Sequence, residues 1–206
     1  MIATHNLRFK DMLSYQDLTI LKSSVTFITG ESGCGKSTLL KLLNGITRPS
    51  QGKVLYKNKD ILEYNPIKLR QELLLVSQSA FLFDISIKEN FINYYKYREL
   101  TPISESNMQH FLEICQIDMP LDSICTNLSG GERQRVFCAI NISYKPSVLM
   151  LDEPTSALDE KTSKLFLQSI ISFCKNSDIS LIIVSHSKEL AKIFAENIIK
   201  IGDINE

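Results

Sequence analysis

An eight-residue glycine-rich segment constrains the fold of this chain more than any other feature of its sequence. Residues 30–37 read GESGCGKS and fit the pattern G-x-x-x-x-G-K-[ST]. A β-branched and aromatic run at residues 24–29 precedes the segment, and a helix predicted from Lys36 to about Asn44 follows it, with Gly45 as its stop. Glycines in such a strand–loop–helix context let backbone N–H groups converge on an anion, and the helix dipole adds positive charge. The pattern therefore predicts a site for the phosphates of a nucleotide.

The loop and the helix after it supply the predicted phosphate contacts. We expect Lys36 to reach the β- and γ-phosphates, the Ser37 hydroxyl to coordinate Mg²⁺, and Thr38 to help hold the α-phosphate. Cys34 occupies a variable position of the pattern, which favours an incidental thiol over a redox switch. The predicted contacts are Gly30, Glu31, Ser32, Gly33, Cys34, Gly35, Lys36, Ser37 and Thr38.

Two carboxylates follow a continuous apolar run further along the chain. Residues 148–151 read VLML, which is typical of a strand buried on both faces, and Asp152 and Glu153 come directly after it. Ligands of open α/β sheets bind at the carboxyl ends of the strands. We therefore expect Asp152 to hold Mg²⁺ through water, and Glu153 to polarise a water molecule for attack on the γ-phosphate.

Short apolar runs alternate with helical patterns over most of the chain. Residues 181–184 form a further run of strand length, and residues 197–201 resemble a last short strand. This alternation predicts an α/β protein with a largely parallel sheet.

The middle of the chain, from about residue 80 to 128, lacks convincing strand patterns. Ser86 and Glu89 have the spacing of a capping box that opens one helix. A second helix is predicted to begin near Pro102, and a third runs from about residue 131 to 144. We interpret this part as a helical subdomain inserted into the α/β core.

Charge and composition argue against several functional classes. Lys plus Arg number 23 and Asp plus Glu number 23, so the net charge is zero and a generally basic nucleic-acid binder is disfavoured. No apolar run approaches the roughly 20 residues that a membrane helix needs, and the N-terminus lacks the pattern of a signal peptide. The five cysteines are widely spaced, which indicates reduced, buried thiols rather than a zinc site or disulfides.

One segment has no role in a generic phosphate-loop enzyme. Residues 128–135 read LSGGERQR, and Ser129 lies 23 residues before Asp152. Here the chain resembles the ATP-binding cassette (ABC) ATPases, whose signature is L-S-G-G-[QE]-x-Q-R. In that family this loop caps the γ-phosphate of ATP held by a second subunit. The resemblance therefore gives Ser129, Gly130 and Gly131 an anion-binding role at a helix start.

Further segments match the same family. Gln78 resembles the glutamine that senses Mg²⁺ and the attacking water, and Asp159 matches a loop that crosses the dimer interface. His186, directly after the run at residues 181–184, matches the switch histidine that contacts the γ-phosphate. The family stacks adenine on an aromatic residue shortly after the first strand, for which Phe9 is the better candidate and Tyr15 the alternative.

The resemblance implies a fold and an assembly. The fold is a P-loop NTPase core with a mostly parallel central sheet, an N-terminal antiparallel β portion and an inserted helical subdomain. A single ATP-binding domain spans residues 1–206, with about 1–79 and 145–206 as the α/β core and about 80–144 as the helical subdomain. Two copies are expected to sandwich two ATP·Mg²⁺ head to tail.

Each expected site combines residues from both copies. The second copy supplies the signature loop and Asp159, and the first copy supplies the catalytic residues and the metal ligands. The expected catalytic residues are Glu153, His186, Gln78 and Lys36, and the expected metal ligands are Ser37, Gln78 and Asp152. Catalysis then rests on positioning and on stabilising the charge of the transferring phosphoryl group.

The resemblance also implies the ATPase subunit of a membrane transporter whose transmembrane permease is a separate chain. Such a subunit is expected on the cytoplasmic face of the cell membrane, peripheral and not inserted, without a nucleic-acid partner. Residues 81–90 resemble a pattern common in exporter ATPases, which favours export and a docking site there, with Tyr94, Tyr95 and Tyr97 on its surface. The chain is also weakly similar to small bacterial exporters of the iron and metal-ion type.

A soluble ABC ATPase of DNA repair, translation or regulation is the alternative. Repair and chromosome ATPases divide their cassette with long coiled coils, whereas only 50 residues separate Gln78 from Leu128, without sustained heptads. Translation-type members carry two cassettes in one chain, and this sequence contains one. The sequence therefore favours the transporter subunit, by analogy with the family.

Overall fold

Strands come first and helices dominate the middle of the chain, whereas single strands and helices alternate from residue 148 onward. The structure is a computed structural model that describes residues 1–10 and 12–202. Its strands are β1 (Ile2–Phe9), β2 (Leu13–Ser14), β3 (Thr19–Ile20), β4 (Val25–Thr29), β5 (Gln51–Tyr56), β6 (Lys59–Asp60), β7 (Leu73–Val76), β8 (Val148–Asp152), β9 (Ser180–Val184) and β10 (Asn197–Lys200). Its helices are α1 (Lys36–Leu43), α2 (Pro66–Glu72), α3 (Ile87–Tyr97), α4 (Glu105–Ile114), α5 (Gly130–Ile142), α6 (Glu160–Asn176) and α7 (Lys188–Phe194). None of the described helices combines the length and the apolar composition that crossing a bilayer requires.

The described residues divide into two compact units. The first comprises Met1–Leu75, Pro146–Glu153 and the described residues from Cys174 onward. The second comprises Val76–Lys145 and Pro154–Phe173.

A largely parallel sheet forms the centre of the first unit. Its strand order is β10-β4-β9-β8-β7, and the pairs β10–β4, β4–β9 and β9–β8 are parallel. Every residue of β4, β8 and β9 is buried. Their apolar sequences suit strands that are covered on both faces. The parallel direction brings the carboxyl ends of these three strands to one edge of the sheet.

An antiparallel sheet completes the first unit. Its order is β2-β1-β5-β6, and β3 also pairs with β1. Helix α1 contributes four fully buried leucines to the hydrophobic core of this unit, namely Leu39, Leu40, Leu42 and Leu43. Residue 45 is a glycine with a φ of 70°, and α1 ends two residues before it, close to the predicted stop.

The second unit is built mainly from helices. Within described residues 77–145, only an isolated bridge between Ser86 and Ile124 has strand character. The predicted capping box of Ser86 and Glu89 is confirmed at the start of α3. Helix α4 begins at Glu105 with Ser104 as its N-cap, three residues after Pro102, near which the helix was predicted to begin. The Ser104 hydroxyl accepts a first-turn N–H, whereas proline lacks a side-chain acceptor.

Candidate functional site

The phosphate loop, residues 30–37, holds the ammonium group of its own lysine. Lys36 is 4% exposed, and its Nζ donates hydrogen bonds to the carbonyl oxygens of Gly30 (2.9 Å) and Glu31 (2.6 Å). A Cβ on Gly30 would lie 2.2 Å from the carbonyl oxygen of Ile201, so only glycine permits this close approach. A buried cation on neutral carbonyls can exchange them for phosphate oxygens, because hydrogen bonds between two charged groups are stronger.

Helix α1 begins without a side-chain cap. Its N-cap is Gly35, whose φ of 97° lies in the left-handed region that favours glycine. No acidic residue lies in the first turn of α1. Ser32 and Gly33 are exposed, and Ser37 and Thr38 are half-buried. The positive end of the helix dipole is therefore open to an external anion.

Ser37 and Asp152 join the start of α1 to the end of β8. The Ser37 hydroxyl donates a hydrogen bond to Asp152 Oδ1 at 3.0 Å. Burial raises the pKa of the Asp152 carboxyl, and the Ser37 hydrogen bond opposes that rise. Hydroxyl and carboxylate oxygens are the hard donors that Mg²⁺ prefers, so this pair fits the predicted metal ligands. Across residues 1–10 and 12–202, no group of three or more His, Cys, Asp or Glu side chains could hold a metal ion.

Glu153 and His186 meet at the same edge of the sheet. His186 Nε2 lies 2.6 Å from Glu153 Oε1, and the Glu153 N–H donates to the carbonyl oxygen of Val184 at 3.1 Å. Glu153 has a φ of 50°, a strained conformation for a glutamate. The Glu153 side chain is 17% exposed and that of His186 46%. A carboxylate held by an imidazole and open to solvent can accept a proton from water.

The signature segment opens α5 with a capping box. The Ser129 hydroxyl and N–H donate to Glu132 Oε2 at 2.7 and 2.8 Å, and the Glu132 N–H donates to Ser129 Oγ at 3.3 Å. Ser129 and Gly130 are exposed, and a Cβ on Gly130 would meet no atom within 4 Å. Gly131 is buried, and a Cβ there would lie 2.9 Å from the carbonyl oxygen of Ala157. The helix start is therefore open at Ser129 and Gly130 and closely packed at Gly131.

Gln78 and Asp159 are the remaining polar candidates, both in the second unit. Gln78 is exposed and lies two residues after the end of β7. Asp159 is exposed and directly precedes α6, where Thr162 donates its N–H to Asp159 Oδ1 at 2.9 Å and its hydroxyl to Oδ2 at 2.5 Å. These hydrogen bonds hold the pKa of the Asp159 carboxyl below its usual value.

The two aromatic candidates for adenine stacking differ in exposure. Phe9 is half-buried at the end of β1, with the Lys10 ammonium 5.4 Å from its ring centroid. Tyr15 is 6% exposed and its hydroxyl donates to the carbonyl oxygen of Gly35 at 2.9 Å, while burial raises its pKa to about 12. The alternative of Tyr15 as a stacking residue is wrong, because its ring is buried. Tyr15 instead braces the phosphate loop, a role that no spacing in the sequence indicated.

The three tyrosines expected on a docking surface are not equivalent. Tyr97 is 72% exposed, and Tyr94 is half-buried with its hydroxyl donating to the carbonyl oxygen of Phe81 at 2.6 Å. Tyr95 is buried, and its hydroxyl contacts Ser143 Oγ at 2.9 Å. The prediction is wrong for Tyr95, whose position on α3 turns it into the core of this unit.

The expectation of buried thiols is wrong at one position. Cys34, in the phosphate loop, is only half-buried, and its Sγ lies 3.9 Å from Lys36 Nζ. The other free cysteines are buried, namely Cys115, Cys125, Cys138 and Cys174. Cys34 differs because its loop is open to solvent.

Sequence comparison relates the chain to proteins of known family. Residues 13–156 match the family model described as ABC transporter. The chain is 34% identical over 181 residues to the methionine import ATP-binding protein MetN of Protochlamydia amoebophila, covering 85% of this chain and 53% of MetN. It is 33% identical over 162 residues to the probable iron export ATP-binding protein FetA of Escherichia coli, covering 79% of this chain and 72% of FetA. The chain thus spans about half the length of the first relative.

Structural comparison concerns the fold. A solved dimeric ATP-binding cassette in a post-hydrolysis state, bound to ADP and phosphate, superposes with a TM-score of 0.85. The superposition covers 98% of this chain and 95% of the other, at 24% sequence identity. It confirms the predicted fold, an α/β cassette with a mostly parallel sheet, an antiparallel sheet and helical elements.

Proposed function

Because the chain belongs to the ABC transporter family, we propose that it binds ATP with Mg²⁺ and hydrolyses the ATP to drive a membrane transporter. The observation that carries this proposal is one cluster at the sheet edge of the first unit. There Lys36 lies in the phosphate loop, Ser37 is bonded to Asp152, and Glu153 is paired with His186. Phosphoryl transfer to water needs these parts: a phosphate cradle, metal ligands and a group that activates water.

In the proposed complex, the phosphate loop exchanges internal contacts for contacts with ATP. Lys36 moves its hydrogen bonds from loop carbonyls to the β- and γ-phosphates, and the uncapped first turn of α1 supplies N–H donors. Ser37, Asp152 and Gln78 would hold Mg²⁺, which neutralises charge on the phosphates when bound. Phe9 would stack on the base. The other loop contacts are Gly30, Glu31, Ser32, Gly33, Cys34, Gly35 and Thr38.

Glu153 and His186 carry the proposed chemistry. Glu153 accepts a proton from the attacking water, and His186 orients the Glu153 carboxylate through their 2.6 Å contact and faces the γ-phosphate. Gln78 would bind the same water and help to hold the metal. Such general-base assistance is worth about 10²–10⁴-fold in rate.

We further propose that two copies form a head-to-tail dimer, and that each chain is one ATP-binding domain over residues 1–206. About 1–79 and 145–206 form the core of that domain, and about 80–144 its helical subdomain. Ser129, Gly130 and Gly131 of one copy would contact the γ-phosphate held by the other, with Asp159 at the interface. Support comes from the open start of α5 and from a dimeric cassette of the same fold.

The proposed partner is a separate transmembrane permease, which would place the chain on the cytoplasmic face of the membrane. An exposed aromatic patch supports docking, because the ring of Phe83 lies 5.1 Å from that of Phe81 and 6.0 Å from that of Tyr97. MetN is named for import and FetA for export. The proposal of export therefore rests on the segment at residues 81–90 alone.

Hydrolysis by the purified chain tests the catalytic part of the proposal. Glu153→Gln should keep ATP binding and lose about 10²–10⁴-fold in turnover, because the amide cannot accept the proton. Glu63→Gln, an exposed glutamate of the same unit, is the control and should hydrolyse ATP like the unmodified chain. Unchanged turnover in Glu153→Gln would contradict the proposed role.

Co-purification tests the transport part of the proposal. Tagged Glu153→Gln protein would be isolated from native cells in mild detergent with ATP·Mg²⁺, and its partners identified by mass spectrometry. A polytopic membrane protein at near-equal stoichiometry is the expected result. Ribosomes, DNA-repair proteins or nucleic acid without a membrane partner would instead support the soluble alternative.

A further inference from the structure

The signature serine is occupied by a carboxylate of its own helix. Glu132 Oε2 accepts both the hydroxyl and the N–H of Ser129, at 2.7 and 2.8 Å. These hydrogen bonds hold the pKa of the Glu132 carboxyl below its usual value, so the group is charged at neutral pH. A negative charge therefore lies at the helix start where the proposed function requires a γ-phosphate to bind.

A second capping box in the same unit provides a comparison at a helix start that is not exposed. At the start of α3, Ser86 donates its hydroxyl and N–H to Glu89 Oε2 at 2.7 and 3.0 Å, nearly the same geometry. Ser86 is buried, and the N–H groups of Ile87 and Lys88 are taken by backbone carbonyls at 3.0 and 2.9 Å. That helix start is closed by protein, whereas Ser129 is exposed.

We propose that Glu132 is a positioning residue that holds Ser129 and competes with the γ-phosphate for it. The carboxylate already accepts the Ser129 hydrogen bonds that a phosphate at this helix start would need, and like charges at one helix start repel each other. Closure of the dimer then requires Glu132 to release Ser129. This inference rests on the proposed function, because the γ-phosphate reaches Ser129 only in the head-to-tail dimer.

The chemistry of the capping box provides a selective variant. Glutamine serves in a capping box as well as glutamate, so Glu132→Gln keeps the cap and removes the charge. ATP-driven dimerisation should then reach its midpoint at an ATP concentration lower by about fivefold or more. Glu89→Gln makes the same change at the closed box and is the matched control, with an unchanged midpoint.

The experiment is an ATP·Mg²⁺ titration of dimer formation by analytical ultracentrifugation, with Glu153→Gln as the parent. Glu132→Gln, Glu132→Ala and Glu89→Gln are each added to the parent. The affinity of each variant for ADP is also measured, because it shows whether the nucleotide site of the single chain is unchanged. Both Glu132 variants should dimerise at lower ATP with unchanged ADP affinity. Adding Ser129→Ala should reduce the shift in ATP midpoint that Glu132→Gln causes, because Glu132 acts through Ser129.

The outcomes separate the inference from the proposed function. If the parent dimerises but both Glu132 variants match the parent or need more ATP, the inference is overturned and the proposed dimer stands. If Glu89→Gln shifts the midpoint as much as Glu132→Gln, the effect is general electrostatics and the inference is also overturned. If the parent stays monomeric with ATP, the proposed dimer is contradicted and the inference falls with it.

Discussion

The two helix starts that are proposed to hold one γ-phosphate are built differently. Helix α1 has Gly35 as its N-cap, without a side-chain cap and without an acid in its first turn. Helix α5 has Ser129 as its N-cap, with a complete capping box that includes Glu132. An uncapped start leaves donors that a phosphate can take directly, whereas a capped start gives up internal hydrogen bonds first.

This difference implies an order of events in the proposed cycle. In that cycle, a single chain would bind the nucleotide through the start of α1, because Lys36 and the uncapped first turn offer donors to an anion. The start of α5 stays satisfied by its own residues until a second copy presents a bound γ-phosphate. Nucleotide binding would therefore precede pairing of the copies.

The largest expected effect is on the affinity of the single chain for ATP, which should depend on the start of α1 and not on the start of α5. Lys36→Ala should weaken ATP binding by about 3 kcal/mol, or roughly 100-fold, since it removes hydrogen bonds from a charged donor. Ser129→Ala should leave that affinity unchanged. Calorimetric titration at protein concentrations that keep the chain monomeric measures both.

Lys53→Ala is the control for Lys36→Ala, because Lys53 is an exposed lysine on β5 of the same unit. Full ATP affinity in Lys36→Ala would show that the phosphate-loop assignment is wrong. An equal loss in Ser129→Ala would remove the distinction between the two helix starts.

The next largest effect is a change in the free energy of unfolding when each of the two glycines that open α5 is replaced. Gly131→Ala places a Cβ 2.9 Å from the carbonyl oxygen of Ala157 and should lower the free energy of unfolding by about 2 kcal/mol. Gly130→Ala, with open space around the new Cβ, should lose none. Urea unfolding compares the two variants, and equal stabilities would contradict the packing at Gly131.

The smallest effect is the pH dependence of the α5 cap. The pKa of Glu132 is lowered from 4.5 in the folded chain, so its charge stabilises the fold above that pH, and the stabilisation is lost as the pH falls through the lowered pKa. The Glu132 side chain is half-buried and still screened by solvent, so the effect stays below about 0.5 kcal/mol. Thermal unfolding of the unmodified chain and Glu132→Gln should differ most near neutral pH and converge in acid. A difference that grows in acid would contradict the sign.

The parts of the fold and site that depend on neighbouring residues were predictable from the sequence. The run at residues 24–29 became β4 (Val25–Thr29), and the residue pair Ser86 and Glu89 became a capping box. Asp152 and Glu153 reached the predicted sheet edge because a buried strand fixes where its carboxyl end lies. These features follow from side-chain type and spacing over a few residues.

Contacts between distant segments were not predictable in this way. Tyr15 braces Gly35 across 20 positions, and the spacing of neither residue indicates the pair. Tyr95 is buried, and its hydroxyl donates to the carbonyl oxygen of Ser143, 48 positions further along the chain. The partnership of Glu132 with Ser129 is local, but the exposure of Ser129 distinguishes it from the box at Ser86, and exposure depends on the tertiary fold.

One measurement tests the central claim, that both helix starts are needed to hold one γ-phosphate between two copies. Gly130→Asp adds a negative charge in the open space at the start of α5, where acids are tolerated by the helix dipole. Sedimentation with ATP·Mg²⁺ should show a dimer for Glu153→Gln and a monomer for Glu153→Gln/Gly130→Asp, while both bind ATP. A dimer in both proteins, or a monomer in Glu153→Gln itself, would contradict the account.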